Sequence, residues 1–76
     1  MADRPAAQVA EEAHALVDEL AAQPDPDAFQ ELIALSEHLG RALGTSARLL
    51  ADTGSWSQVA TYAGTSKQAA WSRWRS

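Results

Sequence analysis

The chain has 76 residues, no cysteine and a net charge of −4, which fits one small domain. Domains below about 80 residues gain little stability from their own core and are often assisted by oligomerisation, metal or disulfides. The absence of cysteine excludes disulfides and thiolate-bound metal, no segment approaches the roughly 18 apolar residues of a membrane span, and residues 1–8, with Asp3 and no apolar run, do not read as a secretory leader.

A first helix is expected from near Asp3, with Arg4 and Pro5 in its first turn, where a missing N–H costs nothing. Val9, Ala13, Leu16 and Leu20 recur at spacings of four, three and four and form an apolar stripe. The segment is rich in alanine, the best helix former, and Glu11, Glu12, Asp18 and Glu19 point outward. Pro24 ends it, because the residue before a proline is pushed out of the α region. Pro24 to Asp27 is a short, stiff connector, and Asp25 or Asp27 caps the next helix with a carboxylate at its positive end.

The second helix carries Phe29, Leu32, Ile33, Leu35, Leu39, Leu43, Leu49 and Leu50. Gly44-Thr45-Ser46 could interrupt it, but the apolar phase survives. Leu43 to Leu50 and Ala42 to Leu49 are both full heptads, so one helix to about Asp52 is expected, with Gly54 as its stop. Such a helix, about 25 residues and roughly 38 Å long, has more apolar surface than one short partner helix and a two-helix tail can cover. A second subunit is the simplest cover for the rest. Gly40 and Gly44, four apart, have two readings: a close approach of two backbones, or a local weakness in the helix.

From Ser55 onward the pattern changes. Ser55 and Gln58 have capping-box spacing, so a third helix starts at Trp56. Val59, Ala60 and Ala63 fall on one face, and Ala60 is small where another helix must cross closely. Gly64 supplies the residue that tolerates positive φ in a tight turn. Thr65 or Ser66 caps a fourth helix over Lys67 to Arg75, and Thr65 with Gln68 repeats the capping-box spacing. Ala70 and Trp74 can face inward, which leaves Ser66, Lys67, Gln68, Trp71, Ser72 and Arg75 on the outer side. Two helices joined in this way have the spacing of a helix-turn-helix, whose second helix enters the major groove of DNA.

The combination of Ala60, Gly64, Ser66 and the Q-A-A-W-S-R-W string resembles the short helix-turn-helix regulators common in high-GC Gram-positive bacteria, where a G-x-S-[KR]-Q-A-A-aromatic-x-R-aromatic string forms the second helix. The resemblance covers about a third of the chain. It implies that Ser66 meets a phosphate, that Lys67, Gln68, Trp71 and Ser72 approach base edges, and that Trp74 anchors the helix in the core. Thr65 departs from it, standing where an aliphatic residue, usually valine, is typical.

Charge is unevenly distributed. Residues 1–52 hold all ten acids with Arg4, Arg41 and Arg48, a net −7, whereas residues 53–76 hold Lys67, Arg73 and Arg75 and no acid, a net +3. DNA responds to the field within about one Debye length, roughly 8 Å at physiological salt, so a cationic tip on an acidic body is compatible with binding it. Trp71 has two readings, contact with a thymine methyl or sugar edge and packing against protein. Arg73 likewise faces either a phosphate or an acid such as Asp52. His14 and His38 lack a metal-site spacing and read as solvent-facing or intersubunit residues. The acids are scattered as on a solvated face, and no G-x-S-x-G elbow or glycine-rich phosphate loop occurs. Neither an enzyme nor a cofactor is expected.

The expectation is therefore an all-α protein: a helical hairpin with a long second helix over residues 3–52, serving as dimerisation scaffold, and a helix-turn-helix over 55–76. It would be a cytoplasmic, nucleoid-associated homodimer that binds double-stranded DNA through Thr65, Ser66, Lys67, Gln68, Trp71, Ser72, Arg73 and Arg75. The alternative is an antitoxin-like or anti-activator module whose acidic N-terminal helices bind another protein.

Overall fold

Four helices follow one another in the computed structural model, which describes residues 4–76; no strand occurs among them. They are α1 (Ala6–Ala21), α2 (Pro26–Thr53), α3 (Trp56–Ala63) and α4 (Lys67–Trp74). The chain divides into two units, Met1–Ser36 and Glu37–Ser76, with the boundary inside α2.

In the first unit α1 begins at Ala6, later than the sequence suggested, and Asp3 lies outside the described residues. Pro5 precedes the helix with ψ 143°, an extended conformation, and its carbonyl accepts from the N–H groups of Gln8 and Val9. No side chain caps this end. Arg4 pairs with Glu12, the only ion pair among the described residues. The helix stops at Ala21, ahead of Pro24. Asp25 caps α2, its Oδ1 accepting from the Ala28 N–H at 2.8 Å, and Pro26 takes the first helical position, where proline is tolerated.

The apolar stripe expected to hold α1 in a hairpin is not buried: α1 buries no residue, and only Leu20 is half-covered. Leu16 is 62% and Phe29 65% exposed. Most helical stability in proteins comes from packing an apolar face, so α1 rests mainly on its alanine-rich helix propensity.

α2 runs unbroken through Gly44-Thr45-Ser46. Thr45 Oγ1 donates back to the Arg41 carbonyl, so the hydroxyl is satisfied inside the helix. At the far end Gly54 donates its N–H to the Leu50 carbonyl and the chain turns. A Cβ at Gly54 would collide with the Gln58 side-chain amide, which folds back over it, and would press on the Leu50 carbonyl at 3.3 Å.

The second unit holds the only hydrophobic cluster among the described residues: Ala47 from α2, Val59 and Ala60 from α3, and Ala70 from α4. Ala51, Trp56 and Trp74 pack on its rim. Small side chains let the helices approach closely, and the two tryptophans supply the apolar area that alanines lack. Ala63, on the same helical face as Val59 and Ala60, is exposed. Within residues 37–53 the charged side chains Glu37, Arg41, Arg48 and Asp52 share an arc of α2 of roughly a sixth of a turn at about 100° per residue. Leu39, Leu43 and Leu50 occupy another face, all of them exposed.

Candidate nucleic-acid interface

Each element of the α3–α4 unit is fixed by a local hydrogen bond that its sequence supplies. Ser55, in extended backbone, caps α3, its side chain accepting from the Gln58 N–H. Gly64 closes the helix at φ 71°, ψ 35°, the one positive-φ residue among those described. Its N–H reaches the Thr61 carbonyl, and the Thr65 N–H reaches the Ala60 carbonyl at 3.0 Å. This pair of bonds is a Schellman closure. An L side chain at Gly64 would bring its Cβ against the backbone at this φ, although open space surrounds the position.

Of the two candidates for the next cap, Ser66 fills it: its Oγ accepts from the Ala69 N–H at 3.1 Å. Thr65 belongs to the turn instead, and its side chain is exposed. α4 then runs to Trp74, one residue short of the expected end, with Arg75 as its C-cap. α3 and α4 are packed on each other. Ala70, 1% exposed, sits at their crossing with Trp74 beside it.

What α4 leaves outward is the set Lys67, Gln68, Trp71, Ser72, Arg73 and Arg75, all exposed, next to exposed Thr65 and Ser66. Lys67, Gln68 and Trp71 line one shallow, open depression. Trp71 is 44% exposed and is not part of the core cluster. One face of its ring is covered by Arg75, whose Cζ lies 4.6 Å from the ring centroid. This is the i, i+4 neighbour on a helix, and the contact is a cation–π pair. Arg73 makes no ion pair with Asp52; its Cζ lies 5.0 Å from the centroid of Trp74.

One polar contact was not anticipated from the sequence. Arg48, half-buried on α2, donates from Nη1 to the Trp74 carbonyl at 3.1 Å and to the Ser76 backbone oxygen at 2.8 Å. Only Gly44, buried one turn earlier, hinted at it. A Cβ there would stand 3.1 Å from Nη1, so the missing side chain makes room for the guanidinium.

His14 and His38 are both exposed, and no cluster of metal-binding side chains occurs among the described residues. No helix there is long and apolar enough to cross a membrane. Comparison with family models, curated proteins and solved structures found no match to this chain.

Proposed function

We propose that the chain is a helix-turn-helix protein that binds double-stranded DNA as a homodimer and controls transcription, with α4 as the helix that enters the major groove. The observation that carries this reading is the outer face of α4. Lys67, Gln68 and Trp71 share one exposed depression there, within residues 53–76, which hold three cations and no acid.

The chemistry of that face suits base edges. Gln68 presents an amide that can pair in two-pronged fashion with the adenine N6 and N7. Trp71, three residues on, offers an apolar edge to a thymine methyl group. Lys67 adds a mobile charge near the phosphates, and the Ser66 hydroxyl keeps its proton for one while its oxygen caps the helix. Thr65 and Ser72 flank the same face. Arg73 and Arg75 stack on tryptophans and extend the positive field towards the C-terminal end of α4. At eight residues α4 is about 12 Å long, so one unit touches few base pairs and holds a half-site weakly.

Two copies remedy this by raising the effective concentration of the second unit and imposing a half-site spacing. What supports a second copy is the Leu39, Leu43 and Leu50 face. It is uncharged and exposed, and the second unit buries only one side chain larger than alanine. A core that small is insufficient by itself for a unit of this size. An uncharged stripe apposed to its own copy across a two-fold axis brings no like charges together.

The test is selection of bound duplexes from a random pool, followed by affinity measurements on the selected and on random sequence. Gln68→Ala should relax sequence preference while leaving binding to random DNA. Lys67→Ala should weaken binding to both and lower the salt slope by about one. A folded protein that binds no duplex at low salt ends this reading, and a stoichiometric protein partner in its place favours the interaction-module alternative.

A further inference from the structure

We infer that Arg48 is a positioning residue for α4, a clamp that sets the orientation of the reading face from the opposite end of the helix. The inference rests on the DNA-binding reading for its consequence, but the clamp itself is a property of the free protein.

Apart from Trp74, half-buried against the core cluster, α4 has little else to hold its C-terminal end. It buries one residue, Ala70, and no glycine closes its last turn. The last carbonyls of a helix lack intrahelical partners and carry the negative end of its dipole. Arg75 N–H satisfies Trp71 within the helix, whereas the Trp74 carbonyl and the Ser76 oxygen are met by the Arg48 guanidinium. A charged donor makes stronger hydrogen bonds than a neutral one and also complements the dipole.

The contact stands apart from every other side-chain hydrogen bond among the described residues. The rest join positions no more than eight apart, whereas Arg48 spans 26 and 28 residues. Gly44 gives the second observation. A glycine inside a helix costs roughly 1 kcal/mol relative to alanine, and here it lies under the guanidinium at a distance that a Cβ would crowd. The helix thus accepts a weak position to seat the arginine.

The consequence is a division of labour. Ser66 fixes the start of α4 and Arg48 fixes its end, and between them Lys67, Gln68 and Trp71 are held at one pitch. Arg48 is then committed to the protein and neutralises no phosphate. Loss of the clamp should cost affinity for cognate duplex through disorder of α4, with no change in counterion release.

Arg48→Met keeps the aliphatic stem and removes the donors, while Arg48→Lys restores a single charged donor. Without DNA, hydrogen exchange of the Trp71–Arg75 amides should quicken about tenfold in Arg48→Met, with α3 amides unchanged and Arg48→Lys intermediate. With DNA, Arg48→Met should bind the selected duplex about tenfold more weakly at an unchanged salt slope, unlike Lys67→Ala. Unchanged exchange in α4 overturns the clamp. A salt slope lowered by one overturns it too, because Arg48 would then be a phosphate contact. Quickened exchange in both α3 and α4 shows a general structural role and also overturns it, as does failure of Arg48→Lys to recover any protection. If the wild type binds no duplex, the exchange experiment still decides the clamp, and only the DNA reading fails.

Discussion

Residues 4–36 and residues 37–76 are built from similar material and reach different ends. Both are helical, rich in alanine and leucine, and capped by their own side chains or carbonyls. The first stretch buries a single residue, Ala28, at the start of α2, whereas the second gathers residues from three helices into one cluster. What separates them is the turn, not hydrophobicity. Gly54 follows α2 and Gly64 follows α3 within a dozen residues, and the helices joined by these short turns pack on one another around Ala47, Val59, Ala60 and Ala70. No such cluster forms across the Pro24–Asp27 connector, and Leu16, Phe29 and Leu35 on either side of it stay open to solvent. Apolar periodicity makes a helix amphipathic, but burial needs a neighbour.

The sharpest way to test that contrast is to place the same charge in each region. Ala70→Glu puts an unpaired carboxylate at the α3–α4 crossing, where it should cost more than about 3 kcal/mol and melt the second unit. Ala13→Glu, on the exposed surface of α1, should leave the circular-dichroism melt within about 0.5 kcal/mol of wild type. Comparable losses from the two would mean that α1 is buried in solution. Next in size is Leu43→Glu, which in sedimentation equilibrium should shift the protein towards monomer at least about tenfold, or roughly 1.4 kcal/mol. A monomeric wild type would remove the second copy from the account.

Gly64→Ala should lower stability by roughly 1–2 kcal/mol, because a Cβ is strained at φ 71° even with open space around it. A melt unchanged by this substitution would show that the turn does not hold α4 against α3. The smallest effect belongs to Gly40→Ala. Its Cβ would meet nothing, so helix propensity alone predicts a gain of up to about 1 kcal/mol. Weaker self-association in the same variant would reveal a backbone contact at Gly40 and revive the reading in which that glycine serves a close helix crossing.

Much of the local structure was legible. Capping spacing at Ser55 and Gln58, the glycine at 64 and the prolines at 24 and 26 each dictate backbone conformation through neighbours in the chain. The uninterrupted α2 followed from its preserved apolar phase, and the outward face of α4 from the inward placing of Ala70 and Trp74. The start of α1 was read too early, since Pro5 takes an extended ψ that no spacing announces. Burial of the α1 stripe was also overestimated, because a stripe says which face would pack and not whether anything packs on it.

Composition and spacing by themselves determined the four helices, the absence of disulfides and the concentration of positive charge at the C-terminal end. Only the tertiary structure decided that Arg73 stacks on Trp74 and not against Asp52, and that Arg48 reaches the far end of α4. The physical reason is range. Caps and helical phase act over three or four residues and are written in order along the chain, whereas an arginine meeting a carbonyl 26 residues away depends on how packed helices bring remote backbone together.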